Sequence, residues 1–299
     1  MYGIGDKLNL LGIDFEDWYH PELIRKHQKQ KSLKPLIVNG IDKIIDWLRR
    51  NDTYATFFVV GELLEFKPEL LDKILDDGHE IAFHTMHHSR LDEPNYKENF
   101  LNDLKRFSEL TNNKSKGFRA PSFSLSSSTS WAIDILESHG YIYDSSVVPV
   151  KTRLYGIKNA QTTPYMISSK SLEKNDPSGK LIEFPILTTN FFTKQIPAGG
   201  GFYLRILPLG ITRSAIKSIN EINNPATFYI HSWELLPELM PKVSLPLVDH
   251  FITYYNLNKA PKKMTKILKE FEFTSFERYI SKNKNYSNKY SNSEKFNQL

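Results

Sequence analysis

The sequence of 299 residues contains no cysteine. Disulfide bonds, thiolate metal sites and cysteine nucleophiles are therefore excluded. The chain also has no run of about 18 apolar residues, which is the length that a membrane-spanning helix needs. Its first residues, MYGIGDKLNLLGIDFEDW, do not show the charged and then apolar regions of a secretory signal. We therefore expect a cytoplasmic protein without a transmembrane segment.

Positive charge is in slight excess but is not concentrated. The formal net charge is +5 and the pI is about 9.0, yet the lysines are scattered and no nucleic-acid-binding motif occurs. We expect no nucleic-acid partner, while weak attraction to an anionic glycan or lipid headgroup stays open. The glycine triplet at 199–201 lacks the context of a GxGxxG or GK[ST] nucleotide loop.

Strand-like and helix-like segments alternate along most of the chain. Short apolar stretches at residues 8–14, 56–60, 80–83, 117–120, 141–143, 181–187 and 226–230 read as buried strands. Segments with helical apolar spacing lie between them, for example at residues 38–50, 95–110 and 209–222. This alternation predicts a parallel sheet, and parallel sheets bind ligands at the carboxyl ends of their strands.

We expect one α/β domain over residues 1–280. Residues 150–180 are rich in Pro, Ser, Thr and Asn and interrupt the alternation, so they are predicted to form an irregular insertion. Residues 281–299 consist largely of Asn, Ser and Lys and have almost nothing to bury, which predicts a disordered polar tail.

Reactive side chains follow the ends of several predicted strands. The third strand runs into HTMHH, where His84 and His88 are spaced to direct two imidazoles at one divalent cation. The first strand runs into DFEDW, which brings Asp14, Glu16 and Asp17 together. Carboxylates so close raise one another's pKa unless a cation or an arginine compensates.

Two further strand ends complete a hydrolytic set. The segment GFRAPSFS contains Arg119, which can pair with a carboxylate of the first strand and hold it ionised, and FYIHSWEL contains His231. One carboxylate and two imidazoles make a three-ligand site for a metal that polarises a carbonyl and lowers the pKa of water. A second carboxylate then accepts the proton of the water, and a histidine protonates the departing amine. The set predicts hydrolysis of an amide.

In this order, the segments DFEDW, HTMHH, RAPSFS and IHSWE resemble the motifs of the polysaccharide deacetylase superfamily, also called the NodB-homology domain or carbohydrate esterase family 4. The resemblance extends from about residue 8 to about residue 280. It implies a distorted (β/α)7-type barrel, a divalent metal that is commonly zinc, and hydrolytic removal of acetyl groups from N-acetylated sugars. DFEDW, GGGFYLRILP and HSWE are most similar to the subgroup found with exopolysaccharide biosynthesis and exosortase-type loci.

The resemblance also implies roles for individual residues. His84 and His88 match the metal ligands, Arg119 matches the arginine that orients the catalytic base, and His231 matches the general acid. Asp144, in YDSS, lies near the segment that usually tunes the acid histidine.

The acidic motif differs from the adjacent pair of aspartates that is usual in the family. Alignment on the start of the strand makes Asp14 the base, whereas alignment on its end makes Glu16 the base. We assign the metal to Asp17, because it ends the acidic run as the second aspartate of the usual pair does. Strand alternation would instead favour Glu16 as the metal ligand, because it places Glu16 on the same side of the strand as Asp14.

Three aromatic residues are expected to bind the substrate, which we predict to be a glycan or its lipid-linked or nucleotide-linked precursor. Trp18 and Trp233 lie close to the predicted site in sequence and can stack on sugar faces. Tyr203 and the glycine triplet are predicted to shape the rim, with backbone amides as part of an oxyanion hole.

Two other functions remain open. An allantoinase-like amidohydrolase that acts on a small cyclic amide would share the barrel, although the retained HTMHH segment favours a sugar substrate. A non-catalytic carbohydrate-binding scaffold would have lost reactive groups, and all of the predicted ones are present.

Overall fold

The computed structural model describes residues 7–28 and 33–283. Its core is one large, strongly curved sheet with helices packed around it. The strands are β1 (Asn9–Phe15), β2 (Thr56–Val59), β3 (Glu80–Phe83), β4 (Gly117–Phe118), β5 (Tyr143–Asp144), β6 (Tyr165–Ile167), β7 (Leu181–Glu183), β8 (Thr188–Phe191), β9 (Lys194–Pro197), β10 (Thr227–His231) and β11 (Phe273–Thr274).

Helices follow most of the strands. They are α1 (Glu22–Arg25), α2 (Ile41–Arg50), α3 (Gly61–Phe66), α4 (Leu70–Asp76), α5 (Tyr96–Leu110), α6 (Trp131–Ser138), α7 (Gly201–Ile206), α8 (Leu209–Glu221), α9 (Ser232–Leu235), α10 (Leu247–Tyr254), α11 (Ala260–Leu268) and α12 (Phe276–Lys282). In α2 the apolar positions that the helical spacing selected, Ile41, Ile44, Ile45 and Leu48, are the buried ones.

The sheet confirms the predicted parallel barrel-like α/β fold. Its strand order is β10-β1-β2-β3-β4-β5-β7-β6, with β11 paired to β1, and every pairing is parallel except that of β6 with β7. The seven parallel strands from β10 to β7 form a curled half-barrel. A hydrogen bond from Leu187 N to Thr227 O (3.0 Å) connects the chain after β7 to β10, and one from Tyr229 N to Gly199 O (2.7 Å) connects β10 to the segment after β9.

Residues 150–180 contain β6, which adds an antiparallel strand to β7. The start of the predicted tail differs from expectation, because Ser281 and Lys282 belong to α12. Residues 284–299, the remainder of that tail, lie outside the described residues. Within the two described ranges, no helix is both long enough and apolar enough to cross a lipid bilayer.

A pair of carboxyl groups is buried between β5 and β7. Asp144 and Glu183 are register partners and are both fully buried. Asp144 Oδ1 accepts a hydrogen bond from Ser146 Oγ (2.5 Å), and Glu183 Oε1 accepts one from Val147 N (3.0 Å). Burial, and then the neighbouring Asp144, hold the pKa of Glu183 well above its ordinary value. Glu183 is therefore held protonated, because two adjacent buried carboxylate charges are strongly disfavoured.

This pair predicts a pH-dependent loss of stability. In the unfolded chain Glu183 ionises near its ordinary pKa, whereas the folded protein keeps it protonated, so stability is greatest below that pKa and declines as pH rises. Glu183→Gln removes the titration, so the melting temperature of the variant should fall less between pH 5 and pH 9 than that of the unmodified protein. Differential scanning fluorimetry measures this, with the exposed Glu221→Gln as a control. Parallel pH profiles for the variant and the unmodified protein would contradict a protonated Glu183 in the folded state.

Candidate active site

The parallel register gathers the predicted reactive residues at one edge of the sheet. Asp14 at the end of β1 is the register partner of His231 at the end of β10. Phe83 of β3 pairs with Phe118 of β4, so His84 and Arg119 leave their strands side by side. This edge is the carboxyl end of the parallel strands, where ligand sites of such sheets form.

Three of these side chains form a group that can hold a metal ion. One ligand atom from each of Glu16, His84 and His88 lies within 4.8 Å of the other two, and all three residues are buried. His84 Nδ1 lies 2.7 Å from the carbonyl oxygen of Arg119. That contact requires the proton on Nδ1, which leaves the lone pair on Nε2 free to bind a cation. Burial lowers the pKa of His84 to about 4, so the ring is neutral, as a ligand must be.

The turn after β3 has the backbone conformation that brings both imidazoles together. Thr85 and His88 adopt left-handed φ angles of 62° and 54°, which are uncommon for residues other than glycine. The turn is held by hydrogen bonds from Gly61 N to Thr85 O (2.9 Å) and from Glu62 N to Met86 O (2.8 Å). As a result, the rings of His84 and His88 lie 5.0 Å apart between centroids.

Glu16 is the carboxylate of this cluster. Its Oε2 lies 2.6 Å from His88 Nε2, and its Oε1 accepts a hydrogen bond from Trp233 Nε1 at 2.8 Å. Burial alone would raise the pKa of Glu16, but the charge and the hydrogen bond of His88 outweigh burial and lower it. A carboxylate with two imidazoles suits a borderline divalent ion such as Zn²⁺, so the donor set fits the predicted metal.

Asp17 lies outside the cluster. Its Oδ2 accepts hydrogen bonds from the backbone amides of Leu36 (2.7 Å) and Ile37 (2.8 Å), and its Oδ1 accepts one from Trp18 N (2.9 Å). The Asp17 side chain thus holds the backbone at Leu36 and Ile37 in place. The structure therefore corrects the cation-facing carboxylate from Asp17 to Glu16. Since Glu16 faces the imidazoles, Asp14 is left as the carboxylate in the position of a base.

Asp14 is paired with Arg119 in the interior of the barrel. Asp14 Oδ1 lies 2.5 Å from Arg119 Nη1, and both side chains are almost fully buried. Arg119 also donates from Nε to Ser145 O (3.0 Å) and from Nη2 to Ser145 Oγ (2.9 Å). Its guanidinium lies 3.9 Å from the centre of the Phe58 ring. A Cβ at Gly12 would come within 2.6 Å of Nη1, so glycine is needed there to leave room for the arginine.

The opposite side of the cluster contains an ion-pair chain that was not predicted. Glu234 Oε2 lies 2.8 Å from His231 Nδ1, and Glu234 Oε1 lies 2.7 Å from Arg205 Nε. Burial alone would lower the pKa of His231, but the charge of Glu234 raises it to about 9. Asp144, which was expected near the acid histidine, instead faces Glu183. The signal for Glu234 was its place three residues after His231 at a helix start, as in a capping box.

The cluster opens into a cavity of about 230 Å³. Tyr203 and Trp233 line it, together with Tyr155 from the irregular segment. Trp233 is only 4% exposed and stacks on His231 at 4.6 Å between ring centroids, so it supports the histidine and Glu16. Trp18 lies elsewhere, along a separate surface depression beside Lys34. The expectation that Trp18 contacts a substrate in this cavity is therefore corrected.

The glycine triplet packs tightly against β10. A Cβ at Gly200, whose φ is 131°, would lie 1.8 Å from the carbonyl oxygen of Tyr229, and Gly201 also has positive φ, at 51°. Side chains at these positions are thus excluded, and the close approach starts α7, which carries Tyr203 and Arg205. Close packing against β10 explains why glycines occupy these positions. A role of their backbone amides in an oxyanion hole stays a prediction.

Comparisons with known proteins agree with this fold. A family model described as Polysaccharide deacetylase matches residues 34–143, and one described as a domain of unknown function, DUF3473, matches residues 145–281. The peptidoglycan deacetylase of Helicobacter pylori (strain ATCC 700392 / 26695) is 22% identical over 242 residues, which cover 76% of this chain and 80% of that protein. These matches support assignment of the chain to the polysaccharide deacetylase superfamily.

Other relatives are matched over shorter segments. The peptidoglycan-N-acetylmuramic acid deacetylase PdaA of Bacillus subtilis (strain 168) is 29% identical over 92 residues, or 29% of this chain, and the match spans only 33% of that relative's length. A crystal structure described as a polysaccharide deacetylase from Mycobacterium smegmatis superposes with a TM-score of 0.56 at 15% identity, over 93% of this chain and 91% of that one. That likeness concerns the fold alone.

The cluster predicts which variants lose a bound metal. Glu16→Gln and His84→Ala should each reduce zinc retained after dialysis at least tenfold, because each removes one of three ligands. Asp17→Asn should retain zinc near the level of the unmodified protein but unfold at lower temperature, since its carboxamide cannot accept all three backbone hydrogen bonds. Elemental analysis of the dialysed, folded proteins measures the difference. Loss of zinc in Asp17→Asn with retention in Glu16→Gln would reverse the assignment.

Proposed function

We propose that the protein is a metal-dependent hydrolase that removes acetyl groups from the N-acetylated amino sugars of a polysaccharide or of its lipid-linked or nucleotide-linked precursor. The observation that carries the proposal is one cavity lined by Asp14, Glu16, His84, His88 and His231. This cavity thus combines a cation-binding group, a buried carboxylate held by an arginine, and a histidine held by a glutamate. Two relatives are named as peptidoglycan deacetylases, and the proposed reaction breaks the same class of bond.

Glu16, His84 and His88 would hold the metal, which we expect to be zinc. A divalent cation supplies Lewis acidity toward a carbonyl oxygen and lowers the pKa of water. The protein's part is to keep the His84 imidazole neutral and correctly oriented and the Glu16 carboxylate in place. The contact of His84 with the Arg119 carbonyl serves the first, and the hydrogen bond from Trp233 to Glu16 serves the second.

Asp14 would act as the general base. The adjacent Arg119 guanidinium fixes one of its oxygens, so the other would be left to accept a proton from the attacking water. Arg119 itself cannot take up that proton, because a guanidinium stays charged in proteins. The arrangement fits transfer of the proton to a single carboxylate oxygen at the floor of the cavity.

His231 would act as the general acid. Its Nδ1 is engaged by Glu234, so the proton available to a leaving amine is the one on Nε2. The raised pKa of His231, which is about 9, keeps the ring protonated near neutral pH. The side chain is 20% exposed toward the cavity, whereas Glu234 and Arg205 behind it are sealed from solvent. The two buried residues are positioning residues, because they act through His231.

The aromatic walls of the cavity suit the faces of sugar rings. Tyr203, Tyr155 and Phe202 contribute to the lining, and aromatic rings pair well with the apolar faces of sugars. A glycan of the exopolysaccharide type remains our choice, because of the DFEDW, GGGFYLRILP and HSWE segments. A cyclic amide of the allantoin type and a non-catalytic scaffold are the alternatives that a substrate panel separates.

Acetate release from N-acetylated chitooligosaccharides, peptidoglycan fragments and nucleotide sugars, with allantoin as a comparison, tests the proposal. The zinc-loaded protein should release acetate from at least one glycan, and Asp14→Asn should reduce kcat about 10²- to 10⁴-fold because the base is lost. Asp42→Asn, which changes an exposed carboxylate on α2, should leave the rate unchanged. No acetate from any glycan, or full activity in Asp14→Asn, would contradict the proposed reaction.

The role of His231 predicts a dependence on the leaving group. Glu234→Gln removes the charge that stabilises the imidazolium, so kcat on the N-acetylated sugar should fall about 10- to 100-fold. Hydrolysis of 4-nitrophenyl acetate should change little, since nitrophenolate departs without protonation. Asp14→Asn serves as the matched comparison and should slow both reactions. An equal loss on both substrates in Glu234→Gln would indicate general disruption and would refute the acid role.

A further inference from the structure

Helix α10 exposes its apolar residues and buries its polar ones. Leu247 is 90% exposed, Val248 55% and Phe251 44%, and their spacing places them along one face of the helix. The buried residues of the helix are Asp249 and Thr253. A surface helix normally has the reverse arrangement. The face formed by Leu247, Val248 and Phe251 is called the apolar stripe below.

Polar contacts, not the apolar stripe, hold α10 in place. Asp249 Oδ2 lies 2.8 Å from Lys26 Nζ and 3.1 Å from His27 Nε2. At the other end of the helix, the buried Arg205 donates hydrogen bonds of 2.7 to 2.9 Å to the carbonyl oxygens of Ile252, Thr253 and Tyr255. Because these bonds fix the helix, the apolar side chains are exposed on a rigid support.

The apolar stripe borders the candidate active site. The Phe251 ring lies 6.0 Å from that of Phe202, which lines the cavity. On the inner side of the same helix, Asp249, Ile252 and Thr253 also line the cavity. A surface that covered the apolar stripe would therefore lie beside the cavity mouth.

The sequence around the stripe is positively charged. Residues 240–263 contain four lysines, at positions 242, 259, 262 and 263, and one acid, Asp249, which is already paired with Lys26. Lys242, Lys259 and Lys262 are exposed, and none forms an ion pair within the described part of the chain. Exposed apolar side chains that lie close in sequence to exposed lysines without ion pairs complement the surface of an anionic bilayer, which takes up the apolar groups and attracts the lysines.

We propose that α10 is an interfacial helix through which the protein docks on an anionic phospholipid membrane, with the cavity mouth beside the lipid surface. A bilayer needs no shaped pocket to receive Leu247, Val248 and Phe251, so a short convex stripe is sufficient for contact. The contact is peripheral, because only side chains of one helix face enter the interface. This binding does not depend on catalysis, and its failure would leave the proposed hydrolase intact.

Co-sedimentation with phosphatidylglycerol vesicles at low ionic strength tests the docking. The full chain should sediment with these vesicles, less with phosphatidylcholine vesicles, and less again at 0.5 M NaCl, because the lysine attraction is screened. The double variant Leu247→Ser/Phe251→Ser should bind the vesicles at least about tenfold more weakly, since two large apolar side chains are lost. Phe66→Ser/Ile222→Ser, which changes residues 58% and 59% exposed on other elements, is the matched control and should bind as the unmodified protein does.

Three results would overturn the proposal. The first is no sedimentation of the unmodified protein with anionic vesicles at low salt. The second is equal binding by the stripe variant and the control variant. The third is a dimer in multi-angle light scattering that the stripe variant alone converts to a monomer without any vesicle binding, because the stripe would then cover a second copy of the chain.

Discussion

The Arg119 guanidinium, enclosed in the barrel, is the charge on which the candidate site depends. A buried cation without a partner costs about 3–5 kcal/mol, so Asp14 must stay beside it and the site cannot rearrange freely. Gly12 leaves the room that the guanidinium occupies, and Ser145 takes up its other donors. The backbone carbonyl of the same arginine also accepts a hydrogen bond from His84 Nδ1. Arg119 thus fixes both the position of Asp14 and the tautomer of the His84 imidazole.

Ring nitrogens lie on both sides of the Glu16 carboxylate. His84 and His88 lie on one side, and Trp233 and His231 on the other, with His231 Nε2 3.9 Å from Glu16 Oε1. Glu234 holds His231 and Arg119 holds Asp14, so the groups proposed as acid and base each have their own charged partner. Separate positions for proton acceptor and proton donor are what amide hydrolysis requires.

Local patterns predicted the framework well, whereas contacts between distant segments were beyond them. The β1 to β5 strands and α2, α5 and α8 follow directly from apolar spacing. Helix α10 could not be predicted, because its exposed face is apolar and its buried face contains Asp249, so the usual pattern is inverted. The choice of Asp17 over Glu16 was wrong in geometry: alternation along β1 turns Asp14 and Glu16 to the same side. Glu234 was missed because its partner Arg205 is distant in sequence and joins it only in the folded chain.

The most direct test of the account is an anomalous-diffraction measurement at the zinc edge on crystals of the zinc-loaded protein. A single strong peak about 2.0–2.2 Å from a Glu16 carboxylate oxygen and from one nitrogen each of His84 and His88 is the predicted result. A peak bound by Asp17 instead, or no peak between the two imidazoles at full zinc loading, would contradict it.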